Sequence, residues 1–231
     1  MAISIVQSSA LKQVDADSTD FTANAASNFT AGNTVLVPLA HYAGTATVTG
    51  VTINGQAATR DTPATANGST RGEIWRLFNV SGGGSGVTIT YSGGADNYLS
   101  FNILETSPLA LDAGTPNGAT GTGNTPAVST AVATSVADTL LVSLVGEGDI
   151  AAPAFTGGLT NLLWAENDGS AHVAGRATYS IETTTGTKTA TYGASNTPPW
   201  VAVIAAYKDA GGGGSTAVPV FLHNLRQQGI A

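Results

Sequence analysis

The chain of 231 residues contains no cysteine, which removes disulfide frameworks, thiol catalysis and zinc–thiolate sites together. Charge is the next scarcity. Eight Lys and Arg stand against fifteen Asp and Glu, a formal net charge of −7 with only 10% charged residues. No basic arm or Lys/Arg cluster exists, so the counterion release that drives nucleic-acid binding has no source and no nucleic-acid partner is expected. No apolar run approaches the roughly 20 residues of a membrane-spanning helix. Met1-Ala2-Ile3-Ser4 lacks the basic and apolar stretches of a secretory signal, so the expectation is a chain made in the cytoplasm with no membrane partner. Histidine is rare as well: His41, His172 and His223 are the three, and no two have metal-ligand spacing.

Glycine is abundant, with 29 residues, and Leu, Ile, Val and Thr supply strand-forming material for a core. The apolar period is two, or the run is short and continuous, nearly everywhere before residue 210. The chain therefore reads as all-β, an antiparallel β-sandwich. Expected strands are 3–7, 34–40, 46–53, 72–80, 87–91, 98–105, 139–145, 159–165, 173–181, 188–192 and 200–207. Turn signals such as Asn54-Gly55, Ser92-Gly93-Gly94 and Asp168-Gly169 separate them.

The chain resembles itself. Asn33-Thr34-Val35-Leu36-Val37 matches Asp138-Thr139-Leu140-Leu141-Val142, and the strand around Trp75 matches that around Tyr179. Thr88-Ile89-Thr90-Tyr91 matches Thr189-Ala190-Thr191-Tyr192, and Tyr98 matches Trp200. The offsets, 105, 104, 101 and 102 residues in unbroken order, imply two repeated halves, about 1–105 and 127–209, joined by a Gly/Thr/Pro-rich crossover from Thr106 to Pro126. Two tandem small sandwiches, or one large sandwich to whose sheets both halves contribute, fit this pattern. A half so rich in small residues would bury a thin core alone, which favours one domain over 1–209.

Chemistry-bearing groups are sparse, and no catalytic residue is assigned. Gly83-Gly84-Ser85-Gly86-Val87 fails the nucleophile-elbow pattern at its last position and reads as a hairpin loop. The carboxylate pairs Glu147 with Asp149, Glu166 with Asp168 and Asp61 with Glu73 could in principle flank a glycosidic bond, but sit mostly in apparent loops, and the chain is not expected to be an enzyme. No cofactor is expected. Asp15, Asp17 and Asp20 place three carboxylates within six residues, a spacing that suits Ca²⁺; lacking the glycine and distal Glu of an EF-hand, they read first as a solvated acidic loop. His41 and His172 are expected at strand ends with partly exposed rings.

The last 22 residues differ in character. Gly211-Gly212-Gly213-Gly214-Ser215 is a flexible spacer by composition. The arm that follows carries Val218, Phe221, Leu222, His223, Leu225, Arg226 and Ile230, a set that a solvated tail has no need of. Those seven are the candidate partner-docking residues of a segment spanning 210–231.

Val51-Thr52-Ile53-Asn54-Gly55-Gln56, Glu73-Ile74-Trp75-Arg76-Leu77 and Gly86-Val87-Thr88-Ile89-Thr90-Tyr91-Ser92-Gly93 together resemble the jelly-roll-type β-sandwich module of bacterial surface proteins and of tailed-phage virion proteins. Its typical runs are V-x-x-V-T-x-G-G-Q, E-I-W-x-L and V-T-V-T-F-S-G. Asn54-Gly55 departs from the usual double glycine, a change that a tight hairpin accepts. The resemblance implies fold and carries no catalytic residue. It implies a virion structural protein, a capsid decoration or accessory protein, whose residues 216–231 dock on the major capsid protein, another virion protein or a sister subunit of a homo-oligomer. The alternative is a carbohydrate-binding, tail-fibre or adhesin module with Trp164, Trp200, Tyr42 or Tyr98 as a sugar platform.

Overall fold

The computed structural model describes residues 2–13, 19–42, 46–93, 98–147, 154–166 and 173–211, with 11–13 and 164–166 described by backbone alone. Among these residues the structure is all-β, every ladder is antiparallel, and there is no helix. Four sheets account for the strands. Sheet A is ordered β1 (Ile5–Gln13), β10 (Tyr98–Thr106), β3 (Thr34–Tyr42), β8 (Thr70–Leu77) and β6 (Thr59–Arg60), with β7 (Thr65–Asn67) also on β8. Sheet B is β2 (Asp20–Asn24), β9 (Gly86–Tyr91), β4 (Val48–Ile53) and β5 (Gln56–Ala57). Sheet C is β11 (Leu109–Leu111), β19 (Pro199–Asp209), β14 (Thr139–Glu147), β17 (Ala174–Glu182) and β16 (Asn161–Glu166), with β12 (Asn117–Thr122) also on β19. Sheet D is β13 (Ala127–Ser129), β18 (Thr189–Ala194) and β15 (Phe155–Gly157).

The sheets stack in the order B, A, C, D, with an apolar core in each of the three gaps. Val35, Val37, Leu39 and Phe101 of sheet A meet Val51, Ile53, Val87 and Ile89 of sheet B. From the other face of sheet A, Leu36, Ile74 and Leu104 meet Leu140, Val142, Leu144, Val203 and Tyr207 of sheet C. Val145, Ala202 and Ile204 of sheet C then meet Val128, Phe155, Ala190 and Tyr192 of sheet D. Because sheets A and C are covered on both faces, β3, β10, β14 and β19 are buried almost without a break. That explains their continuous apolar runs, whereas β9, covered on one face, alternates. Glycine permits a close approach of sheets A and C: a Cβ on Gly146 would lie 2.9 Å from the Ala40 Cβ.

Several boundaries differ from expectation. Residues 106–126 carry β11 and β12, both paired with β19, because a Gly/Thr edge strand lacks the apolar density that marks a core strand. The Gly83–Ser85 segment joins sheet A to sheet B and is not a hairpin. Each half also builds its own pair of sheets: A and B use residues 5–106 only, C and D residues 109–209 only. The expected sharing of strands between the halves is therefore absent from these sheets; what joins the halves is the A–C core.

The four sequence matches fall on strands with corresponding places in the two halves. Val37 pairs with Trp75, and Val142 with Tyr179. The faces do not correspond, since Val35, Val37 and Leu39 line the A–B core while Leu140, Val142 and Leu144 line the A–C core. A shift of one residue exchanges the two faces of a strand, and strands that are apolar on both faces carry no pattern to fix it.

Candidate functional site

The two ends of the stack differ. The strand ends leading to residues 14–18, 43–45 and 94–97 lie together, as Gln13 pairs with Leu99 and Tyr42 with Tyr98. Those leading to 148–153 and 167–172 lie at the same end of sheet C, as Glu147 pairs with Ala174. The contact of Gly146 with Ala40 places both sets on one side. The chain leaves from the opposite end: Asp209 pairs with Leu109, Ala210 N–H donates to Pro108 O, and Ser107 N–H donates to Ser4 O. These are called below the loop end and the exit end.

A polar cluster lies in the A–B core toward the loop end. His41 is fully buried, Glu73 is 2% exposed and Tyr91 is 5% exposed; the expected partly exposed His41 ring is thus corrected, its odd position on β3 turning it inward with Val35, Val37 and Leu39. Trp75 Nε1 donates to Glu73 Oε2 at 2.6 Å, and Arg60 Nη1 donates to Oε1 at 3.4 Å. His41 Nε2 stands 3.9 Å from Glu73 Oε1, an ion-pair distance and too long for a hydrogen bond. The Tyr91 ring meets the His41 ring edge-on, centroids 5.6 Å apart. Neither His41 nitrogen nor the Tyr91 hydroxyl has a hydrogen-bond partner among the described residues. Burial alone would raise the Glu73 carboxyl, yet His41, the Trp75 indole and Arg60 together hold it below the usual carboxylate range. Burial pushes the Tyr91 phenol well up, and the neighbouring Glu73 charge adds to it.

A second network crosses the A–C interface. Tyr207 Oη, from the last strand, donates to Asp61 Oδ2 at 2.7 Å, and Arg76 Nε donates to Asp61 Oδ1 at 2.5 Å. Burial raises the Asp61 carboxyl above its ordinary value against the pull of Tyr207 and Arg76, and raises the Tyr207 phenol strongly. A third centre is Glu105, fully buried, which accepts Thr30 N–H, Asn33 Nδ2 and Gln7 Nε2 at 2.8, 2.7 and 2.6 Å. It ties the 26–33 segment to β1 and β10.

Asp61 and Glu73 therefore belong to separate networks and do not form an opposed carboxylate pair. Glu147 is buried; Asp149, Asp168 and His172 lie outside the described residues, as does the Glu166 side chain. Of the calcium set, Asp20 accepts a 2.7 Å hydrogen bond from Thr90 Oγ1 on the exposed face of sheet B, and Asp15 and Asp17 are outside the description. Among the described residues no group of three His, Asp or Glu is placed to hold a metal ion. Of the sugar-platform candidates, Tyr42 and Tyr98 form a tilted pair at the loop end with centroids 6.3 Å apart. Trp200 covers Gly121, where a Cβ would lie 2.6 Å from the indole, and the Trp164 side chain is outside the description. Trp75, not a candidate, is core. All seven docking residues, Val218, Phe221, Leu222, His223, Leu225, Arg226 and Ile230, lie beyond the described residues.

Sequence reasoning missed the Asp61–Arg76–Tyr207 bridge, since residues 146 positions apart leave no local signal. It also missed Glu105, which the sequence shows only as a carboxylate ending an apolar strand. No protein-family model, curated protein or solved structure matches the chain.

Proposed function

We propose that the protein is a structural component of a tailed-phage virion, a capsid decoration or accessory protein held to the particle by its C-terminal arm. The observation that carries this reading is the division of the stack into two ends. β19, held between β14 and the β11–β12 edge, ends at the exit end, while the strand ends that flank residues 43–45, 94–97, 148–153 and 167–172 lie at the other. A module attached through the arm presents its loop end outward. The resemblance of the hairpin and strand motifs to virion sandwich modules supports the class of particle. The sheet orders β1-β10-β3-β8 and β2-β9-β4-β5, the alternation of a two-Greek-key roll, support reading the first half as jelly-roll-like. The correspondence of strand order in sheets C and D supports a duplicated origin for the halves.

The experiment is co-sedimentation with purified capsids of the intact chain and of a chain ending at Ala210. The reading expects the intact chain to pellet with particles and the shortened one to stay in the supernatant. Equal binding by both refutes it.

The Tyr42–Tyr98 pair at the loop end favours one second reading, an attachment module that stacks sugar rings on tyrosine. Glycan-array binding lost in Tyr98→Ala supports it, and an array with no specific signal removes it.

A further inference from the structure

We infer that the A–B core holds an internal water molecule on His41, Glu73 and Tyr91, which links sheet A to sheet B toward the loop end. Buried polar atoms are as a rule hydrogen-bonded, and each exception calls for a cause. Here the exceptions share one place. Among the described residues neither ring nitrogen of His41 nor the Tyr91 hydroxyl has a protein partner, although the two residues are only 0 and 5% exposed. His41 belongs to β3 of sheet A and Tyr91 to β9 of sheet B, and their rings meet edge-on. Glu73 of β8 stands beside both: its Oε1 lies 3.9 Å from His41 Nε2, and its charge acts on the Tyr91 phenol.

The 3.9 Å separation is too long for a direct hydrogen bond and suits a bridged one. An oxygen about 2.8 Å from each atom closes that triangle at an angle of about 90°. The Tyr91 hydroxyl supplies a third partner, within the two to four that an internal water requires. Charge and donor count select the occupant. The Glu73 carboxylate already faces Arg60 Nη1 at 3.4 Å and accepts Trp75 Nε1 at 2.6 Å, so no further cation is needed to balance it, and it repels an anion. Burial and the Glu73 charge keep the Tyr91 phenol protonated, and its O–H is a donor that a metal ion cannot use. A neutral molecule that both donates and accepts fits, and water fits whichever tautomer His41 adopts.

The second half supplies the comparison. Thr88-Ile89-Thr90-Tyr91 matches Thr189-Ala190-Thr191-Tyr192, and Tyr192 is buried in the C–D core. There the hydroxyl is satisfied by protein: Tyr192 Oη donates to Ser143 Oγ at 2.9 Å and lies 3.2 Å from Thr178 Oγ1. β14 and β17 of sheet C thus offer hydroxyls to the tyrosine of the neighbouring sheet. The corresponding strands of sheet A, β3 and β8, offer His41 and Glu73, and neither forms a hydrogen bond with the Tyr91 hydroxyl. Water takes the place in the A–B core that Ser143 and Thr178 fill in the C–D core.

The test turns on the sign of a hydroxyl deletion. Tyr91→Phe and Tyr192→Phe are made separately in the full-length chain and unfolded in urea. Deleting a hydrogen-bonded hydroxyl lowers the midpoint, whereas deleting a buried, unbonded one leaves it unchanged or raises it. The inference expects Tyr91→Phe to lower the midpoint by about 0.3–0.5 M, in the same direction as Tyr192→Phe. A Tyr91→Phe midpoint at or above that of the unsubstituted chain overturns it. A crystal structure of the unsubstituted chain that shows ordered solvent gives the second readout. The expected result is a peak about 2.7–3.0 Å from His41 Nε2, Glu73 Oε1 and Tyr91 Oη. An empty position overturns the inference, and so does a peak at the roughly 2.0–2.3 Å of a metal ion.

Discussion

Replacing Tyr207 by phenylalanine tests how the two halves are coupled. The substitution keeps the ring in the A–C core and deletes only the hydroxyl that donates to Asp61 Oδ2 at 2.7 Å. The Asp61 side chain is nearly fully buried and also accepts from Arg76 Nε. Hydrogen bonds to charged groups contribute about 1.5–3 kcal/mol, so a loss of about 2 kcal/mol is expected. With a urea slope of about 2–3 kcal/mol/M, the midpoint should fall by roughly 0.7–1 M. The assay is urea unfolding followed both by far-UV circular dichroism and by tryptophan fluorescence, Trp75 reporting the A–B core. One coincident transition, shifted for both probes, is the expected result. Asp61→Asn combined with Tyr207→Phe should cost less than the two single losses together, because both remove the same bond. A midpoint unchanged within error, or separate transitions for the two probes in the unsubstituted chain, refutes the coupling.

Glu73 and Asp61 set opposite pH dependences. The Glu73 carboxyl is lowered on folding, so its contribution is present above the unfolded value of about 4.3 and is lost as pH falls through the folded one. Glu73→Gln should flatten the acid limb of a midpoint-against-pH plot; an unaltered slope counts against the assignment. The Asp61 carboxyl is raised, so its contribution is fully present below about 3.9 and is lost as pH rises through the folded value, and Asp61→Asn should lessen the loss of stability over that range. At the A–C contact, Gly146→Ala should cost about 1–3 kcal/mol by overpacking against Ala40, whereas Gly50→Ala, with open space around its Cβ, should be near neutral in thermal melts; equal effects would contradict the packing. Glu105→Ala removes the buried acceptor of Asn33 Nδ2 and of Thr30 N–H, while Gln7 Nε2 keeps Ser27 O, and should cost about 2–3 kcal/mol, read by chemical denaturation; a loss below about 1 kcal/mol would show that water replaces the carboxylate.

The strands of sheets A and C were legible because their apolar runs are long and bounded by turn residues. The layers were not. The alternating burial of β9 betrays one covered face, but a run such as Thr139–Glu147 reads the same whether one sheet or two cover it. Unmarked strands such as β2, β11, β12 and β13 are short or rich in Thr, Gly and Ala and pair at sheet edges; Leu109 and Val128 reach the core from them, too few apolar residues to set a pattern. His41 illustrates the limit for polar residues: its position at the end of an apolar run suggests an exposed ring, and only its parity on β3, together with sheet B above it, turns it toward Glu73. The arm was conspicuous by composition, yet its relation to the exit end depends on β19 running antiparallel to both β11 and β14.

The division into a holding end and a presenting end can be tested in one capsid co-sedimentation series. Phe221→Asp/Leu222→Asp alters the arm that follows the exit end, and Tyr42→Ala/Tyr98→Ala alters the loop end, with circular dichroism confirming that both variants fold. The account predicts that the arm variant loses particle binding and the loop-end variant keeps it; binding lost by the loop-end variant and retained by the arm variant would contradict it.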